Sequence, residues 1–306
     1  MSTRTRNFFW FIFGFFVGTI NAFRHRLFGY SRPRPFSPKK VLETIAYNKR
    51  VVHSWEQQLM SFQGSDGSFS GKDVVEVGPG YDYGAGAVLV SLGAASYKAI
   101  DRFSLSCGDR KYYEALLETL RADMIMKGLD MTRLSEVIRG VIAQGSLYSN
   151  PIFSVVQSSV EDASLGMNGT ADIIVSQAVL EHVQDINKSF RSMYQILREN
   201  GVMCHEIDFQ THTQILRERD PLNIFRYSRS QWETWFTFPG CPNRFRPNDF
   251  VRAAQKAGFK DVSLLPICSL SDGVVQDVKQ HLAEPFRNES VSTLPILSAV
   301  LLARKL

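Results

Sequence analysis

Several features that would direct a first reading elsewhere are missing from this sequence. The four cysteines, Cys107, Cys204, Cys241 and Cys268, are scattered and never form C-x-x-C. That excludes a disulfide framework and a thiolate zinc cluster and leaves four reduced thiols. H-E-x-x-H is also absent, and no metal is expected. Charge is not concentrated on the body: the net +5 over 306 residues lies largely in the first forty. Nucleic-acid binding would call for a basic face on the folded domain, so none is expected. A front-loaded positive charge instead suits an anionic membrane surface.

Long apolar runs are missing too. The longest, Phe8–Ile20, has thirteen residues, short of the roughly 20 that a spanning helix needs. Asn21-Ala22-Phe23 does not make a small-x-small cleavage site. The run is crowded with Phe and Trp and flanked by Arg4, Arg6, Arg24 and Arg26, a composition for the membrane interface with arginines snorkelling to phosphates. Packing on the protein's own core or on a partner is the other reading. If the run spans, Arg24, Arg26, Arg32, Arg34, Lys39 and Lys40 outweigh Arg4 and Arg6, and the body lies in the cytoplasm. Prolines 33, 35 and 38 make residues 31–38 a stiff linker. Residues 1–40 are thus an arm, and residues 41–306, with the chain 44% hydrophobic, can bury one full α/β core.

What is present centres on residues 72–102, KDVVEVGPGYDYGAGAVLVSLGAASYKAIDR. The order is buried strand, glycine turn, helix, second strand, and an acid, Asp101, at the strand tip. Gly78 and Gly80 let the backbone approach a ligand closely, and an acid about twenty residues on is placed to grip a ribose diol. The spacing G-P-G-x-x-x-G differs from the diphosphate-binding G-x-G-x-x-G, and Glu76 and Asp82 would repel a diphosphate. A nicotinamide enzyme is therefore a lesser reading, and a tight turn without a ligand is another.

The stretch resembles motif I of the class I S-adenosylmethionine-dependent methyltransferases. A second stretch, residues 171–183, ADIIVSQAVLEHV, resembles the fourth motif of the methyltransferase-11-type domains, followed as there by an amphipathic helix over residues 185–197. The resemblance covers about residues 70–306. It implies a Rossmann-like, seven-stranded, mostly parallel sheet with an antiparallel last strand at residues 295–305, helices on both faces, and the hydrophobic arm outside. It implies S-adenosylmethionine as cofactor, with Glu76, Gly78, Gly80 and Asp101 at its ribose and methionine side. Adenine would meet Val160 and either Glu161 or Asp162, because Ser159 stands where the family often has Asp. Gln177 would lie near the methionine moiety. Residues 41–62 would cap the pocket or simply pack.

Two stretches exceed plain connections and are insertions, near 102–150 and 208–246. The second holds Tyr227, Trp232, Trp235, Phe236 and Phe238, the composition of a small-molecule pocket or of a local mini-core. Ahead of it, His205, Asp208 and His212 lie at the end of the fifth strand, where open α/β sheets bind ligands. If the chain turns helical after Ile207, Asp208 and His212 share a face. The expectation is O-methylation of a small-molecule, saccharide or lipid-linked acceptor near a membrane. His212 or His205 would be the base and Asp208 its orienter. The competing expectation is a non-catalytic, membrane-tethered protein of the same fold.

Overall fold

The computed structural model describes residues 2–29, 40–103, 109–126, 131–290 and 292–306. The 31–38 linker and Cys107 lie outside them. Helices α1 (Thr3–Phe28) and α2 (Val41–Gln63) precede the sheet. The β-branched run Asp73–Val77 forms β1, the small residues Gly84–Ser91 form α3, and Ser96–Asp101 form β2. Two helices, α4 (Arg110–Met126) and α5 (Thr132–Gln144), fill the first insertion before β3 (Phe153–Gln157) and β4 (Ala171–Gln177). α6 (Ile186–Ile196) starts where the Asp185 carboxylate accepts from the Lys188 amide at 2.9 Å, an N-cap. β5 (Leu197–Asp208) follows with no intervening loop, earlier than the expected start at Val202; Asn200 absorbs the turn with φ +64°.

The second insertion contains α7 (Gln214–Arg219), the turn-length α8 (Arg229–Gln231) and a π-helical turn, Trp232–Phe236. α9 (Pro247–Ala257) opens on proline and closes on Gly258 at φ +109°, as the start and stop rules require. β6 (Lys260–Ser269), α10 (Asp272–Lys279) and β7 (Ile296–Arg304) complete the chain.

The sheet order is β3-β2-β1-β4-β5-β7-β6. β1 to β5 pair in parallel, and β7 runs antiparallel between β5 and β6. Apolar side chains alternate to the two faces, so the sheet has a core on each side. One packs under α2 to α5 (Trp55, Leu89, Tyr112, Val137), the other under α6 and α9 (Phe190, Met193, Phe250). A third, smaller cluster joins Leu222, Phe225, Tyr227, Trp232, Phe236, Val275 and Leu297, and Phe11 and Phe15 of α1 pack on it.

α1 docks on the body by specific bonds as well as by shape. Asn7 donates to the Asp277 carbonyl (3.0 Å) and accepts from Arg226 (2.7 Å), whose guanidinium is paired with the buried Asp220 carboxylate. Asn223 and Tyr227 donate to the Trp10 and Phe11 carbonyls, and Arg26 to that of Thr237. Gly14 and Gly18 sit at the closest approach: a Cβ at Gly14 would lie 2.2 Å from Asn223, and one at Gly18 2.5 Å from the Phe236 ring. Among the described residues, no helix is long and apolar enough to cross a membrane.

Candidate active site

The C-terminal tips of β1 to β4 open on a cavity of about 640 Å³ that runs from the glycine turn to the second insertion. At the first end it is lined by Gly78 and Gly80, by Asp101 after β2, by Val160 and Glu161 after β3, and by Gln177 after β4. Gly78 has φ +67°, and a Cβ there would come within 2.6 Å of Val179. The turn therefore presents bare backbone because no side chain fits. Asp101 accepts from the Phe103 amide at 2.9 Å and the Gly80 amide at 3.4 Å. Burial raises its pKa, so the carboxyl gains from further donors in the cavity. The Gln177 Oε1 is buried with no partner among the described residues. Thr44, Tyr47 and Asn48 of α2 close this end as a cap. Asn48 and Tyr112 both donate to Asp82.

The second end is aromatic. Tyr227, Trp232, Phe236 and Phe238 line it, facing Gly14, Gly18, Asn21 and His25 of α1. Trp232 is thus both cluster core and cavity wall, whereas Trp235 is about half exposed.

Between the two ends stand His182, Asp208, Thr211 and His212. Glu181 lies behind them, buried, with its Oε1 3.8 Å from the His212 Nε2 and neither carboxylate oxygen hydrogen-bonded among the described residues. The rings of His182 and His212 meet edge to face at 4.9 Å. Burial pushes the His182 imidazole below its usual range, against the pull of Glu181. Its ring is held by the Gly240 and Cys241 backbone, and Nδ1 is free of hydrogen bonds among the described residues. Glu181, His182 and His212 each offer a ligand atom within 4.8 Å of the others. Asn243 sets this turn: its amide reaches the Leu180 carbonyl at 2.8 Å and that of Val183 at 3.1 Å, and its N–H reaches that of Glu181 at 2.7 Å.

The structure therefore brings together His212, Asp208, Gly78, Gly80, Asp101, Val160, Glu161 and Gln177 on one cavity. Two residues singled out in the sequence do not line it. His205 is sealed in the sheet, its Nδ1 2.7 Å from the Ser176 hydroxyl, and burial lowers its pKa to about 3. Glu76 lies beneath the glycine turn, accepts from the Tyr97 hydroxyl at 2.5 Å, and is pushed up to about 8 by burial. Asp208 is in the wall, but its partners are Arg217 and the Gln210 amide. The chain does not turn helical until Gln214, so Asp208 and His212 share no helix face. Of the two candidate acids after β3, Glu161 lines the cavity and takes the Gln184 amide at 3.1 Å, while Asp162 turns outward to Lys188. Glu181 and Asn243 were missed. Glu181 was legible inside the L-E-H-V run, but nothing in the sequence paired it with His212.

The residues present fit a sulfonium nucleoside. Asp82, Asp101, Glu161 and Asp208 line the cavity with one guanidinium, Arg102, a balance that favours a cation and disfavours a diphosphate. Asp101 has acceptor capacity for a ribose diol, and the glycine turn leaves room for the chain that joins the ribose to the sulfur.

Comparison with known proteins agrees. The family described as "Methyltransferase domain" matches residues 47–264. No curated protein matches the chain. Among solved structures, an S-adenosylmethionine-dependent methyltransferase from Mesorhizobium loti is 12% identical, covering 81% of this chain and 96% of that one, with a TM-score of 0.44. One from Archaeoglobus fulgidus is 13% identical (84% and 94% covered, TM-score 0.43). Haemonchus contortus phosphoethanolamine N-methyltransferase 2, solved with S-adenosyl-L-methionine, is 11% identical (94% and 57%, TM-score 0.41). With the family match spanning most of the chain and the cavity built as described, this protein belongs to the methyltransferase-domain family and is a class I, S-adenosylmethionine-dependent methyltransferase.

Proposed function

We propose that the chain methylates a hydroxyl oxygen of a small-molecule, saccharide or lipid-linked acceptor, with residues 41–306 as the catalytic domain and α1 as an element at a membrane surface. The observation that carries the reading is His212, paired with the buried Glu181 at 3.8 Å, in the wall between the strand tips and the aromatic chamber. On this reading Asp101 would hold the ribose, Gly78, Gly80 and Gln177 the methionine end, and Val160 and Glu161 the adenine. When bound, the cofactor supplies an electrophilic methyl group and leaves as a neutral thioether.

The chain's own residues then position the acceptor and handle a proton. Tyr227, Trp232 and Phe236 hold the acceptor body and exclude water. Orientation of this kind supplies most of the acceleration in a displacement. His212 takes the proton that the hydroxyl loses as the new C–O bond forms, and passes it to solvent. Glu181 stabilises the resulting imidazolium. His182, kept neutral by burial, leaves one positive charge rather than two at this point. Asp208, held by Arg217, shapes the wall.

The test is transfer of tritiated methyl from S-adenosylmethionine into a panel of sugars and extracted lipids, with S-adenosylhomocysteine titrated in parallel. Turnover that persists in chelator and is lost in His212→Ala, with cofactor affinity intact, upholds the base. Turnover abolished by chelator assigns the Glu181, His182 and His212 donors to a cation instead. Failure to bind S-adenosylhomocysteine would favour a non-catalytic, tethered protein of this fold.

A further inference from the structure

Helix α1 has two faces. Asn7, Gly14, Gly18 and His25 turn to the body, while Phe8, Phe16, Ile20, Phe23, Leu27 and Phe28 are each 60–80% exposed. Positions 8, 12, 16, 20, 23 and 27 recur at helical spacing, so the exposed apolar groups form one continuous stripe. Scattered surface phenylalanines need no explanation, but a stripe of this length on one helix does. The helix has no acidic residue; Arg6 pairs with Asp277 and Arg26 holds the Thr234 and Thr237 carbonyls, so Arg4 and Arg24 are the arginines that complement an anionic surface.

A groove of about 860 Å³ runs between α1 and α7. Val17 and Ile20 line it from the α1 side and Thr213 and Ile215 from the α7 side, with Arg24 and Glu218 placing one charge of each sign on the wall. Its wall includes Asn21, His212 and Thr213, all three of which also line the catalytic cavity. Ile20, in turn, belongs to the exposed stripe. The groove therefore adjoins the stripe at Ile20 and shares Asn21, His212 and Thr213 with the catalytic cavity.

Resting on the methyltransferase reading, we propose that the acceptor is a bilayer lipid. α1 lies in the membrane interface, and the lipid enters sideways through the groove. Its head group reaches His212 and its hydrocarbon leaves along Val17, Ile20 and Ile215 to the bilayer. A cavity for a free sugar would need no apolar exit beside the base, and the exposed stripe would have no use. An acyl chain explains both with one ligand.

The test uses the full chain in two arms, with S-adenosylhomocysteine titrated throughout. Co-sedimentation with vesicles of mixed phosphatidylglycerol and phosphatidylcholine should pellet the wild type. The double variant Phe16→Asp, Phe23→Asp, on the face turned from the body, should bind about tenfold or more weakly with cofactor affinity unchanged. In the second arm, dansylaminoundecanoic acid should bind saturably, and Val17→Trp or Ile215→Trp, which narrow the groove, should weaken it about tenfold. A wild type that binds S-adenosylhomocysteine but stays in the supernatant overturns the proposal. So does probe binding indifferent to both groove variants. So does a wild-type dimer that the double Asp variant dissociates, since a second copy would then cover the stripe. Absence of S-adenosylhomocysteine binding to folded protein is a different failure: it removes the cofactor site itself, and the lipid proposal with it.

Discussion

The cofactor end of the cavity comes from four strand tips that follow one another in the chain: Gly78–Gly80, Asp101, Val160–Glu161 and Gln177. The acceptor end draws on α1, the L-E-H-V turn and residues 208–242, and some of its tying bonds join residues more than 200 apart, such as Asn7 with Arg226 and Phe11 with Tyr227. Where binding is done by backbone turns and a strand-end acid, local order along the chain is enough to build a site. Where it is done by packed aromatics and a shared helix face, the site exists only once distant segments meet. On the proposed reading, the first end would serve any enzyme that uses this cofactor, and the second would give this one its acceptor.

Four changes would break or sharpen that contrast. The largest effect is expected from His212→Ala: methyl transfer to a hydroxyl should fall roughly 10²-fold or more. Titrated S-adenosylhomocysteine should bind within about twofold of wild type, because His212 belongs to the acceptor side. An unchanged rate would remove His212 from the chemistry. Asp101→Ala should do the reverse, weakening S-adenosylhomocysteine about 10- to 100-fold, the scale of hydrogen bonds to a charged group. Calorimetry that finds equal affinity would remove the acid from the ribose.

Gly14→Leu should overpack α1 against Asn223 and Tyr227 and cost about 1–3 kcal/mol. Proteolysis should then release α1 while cofactor affinity holds, and a resistant α1 would contradict the close approach. The smallest effect concerns Glu76. Its folded pKa, about 8, lies above its ordinary value of 4.5, so its contribution to stability is complete below about pH 4.5 and lost as pH rises through 8. Glu76→Gln should flatten that loss by at least ~1 kcal/mol between pH 5 and 8, read from urea melts. Parallel wild-type and variant curves would rule it out.

The same division explains what could be read before the structure. Strand and helix order and the Pro247–Gly258 helix follow from period, proline and glycine, which act within a few residues, whereas the antiparallel β7 was implied by the family resemblance. The placement of Gly78 and Asp101 on the cavity was legible because it depends on a local turn and a strand end. His205 and His212 looked equivalent in the sequence, since both flank the end of one strand. Only the pairing of β5 with β4 and β7 shows that His205 is sealed against Ser176 while His212 reaches the cavity. Asp208 looked like the partner of His212 on the premise of a helix, and the irregular turn before Gln214 removed that premise. Glu181 reaches His212 across a gap of thirty-one residues, which no motif records. The arm read first as a membrane element and second as a packed helix, and the structure gives it two faces, one docked and the other bare.

The docking of α1 has a consequence for biosynthesis. α1 leaves the ribosome well ahead of its partners Asn223, Arg226 and Asp277, which follow more than 200 residues later. At the usual pace of 5–20 residues per second, roughly ten seconds or more pass before the helix can find its seat. Through that interval both of its apolar faces are bare on the nascent chain, so translating ribosomes carrying this message should gather at a lipid surface or recruit a chaperone before any methyltransferase exists.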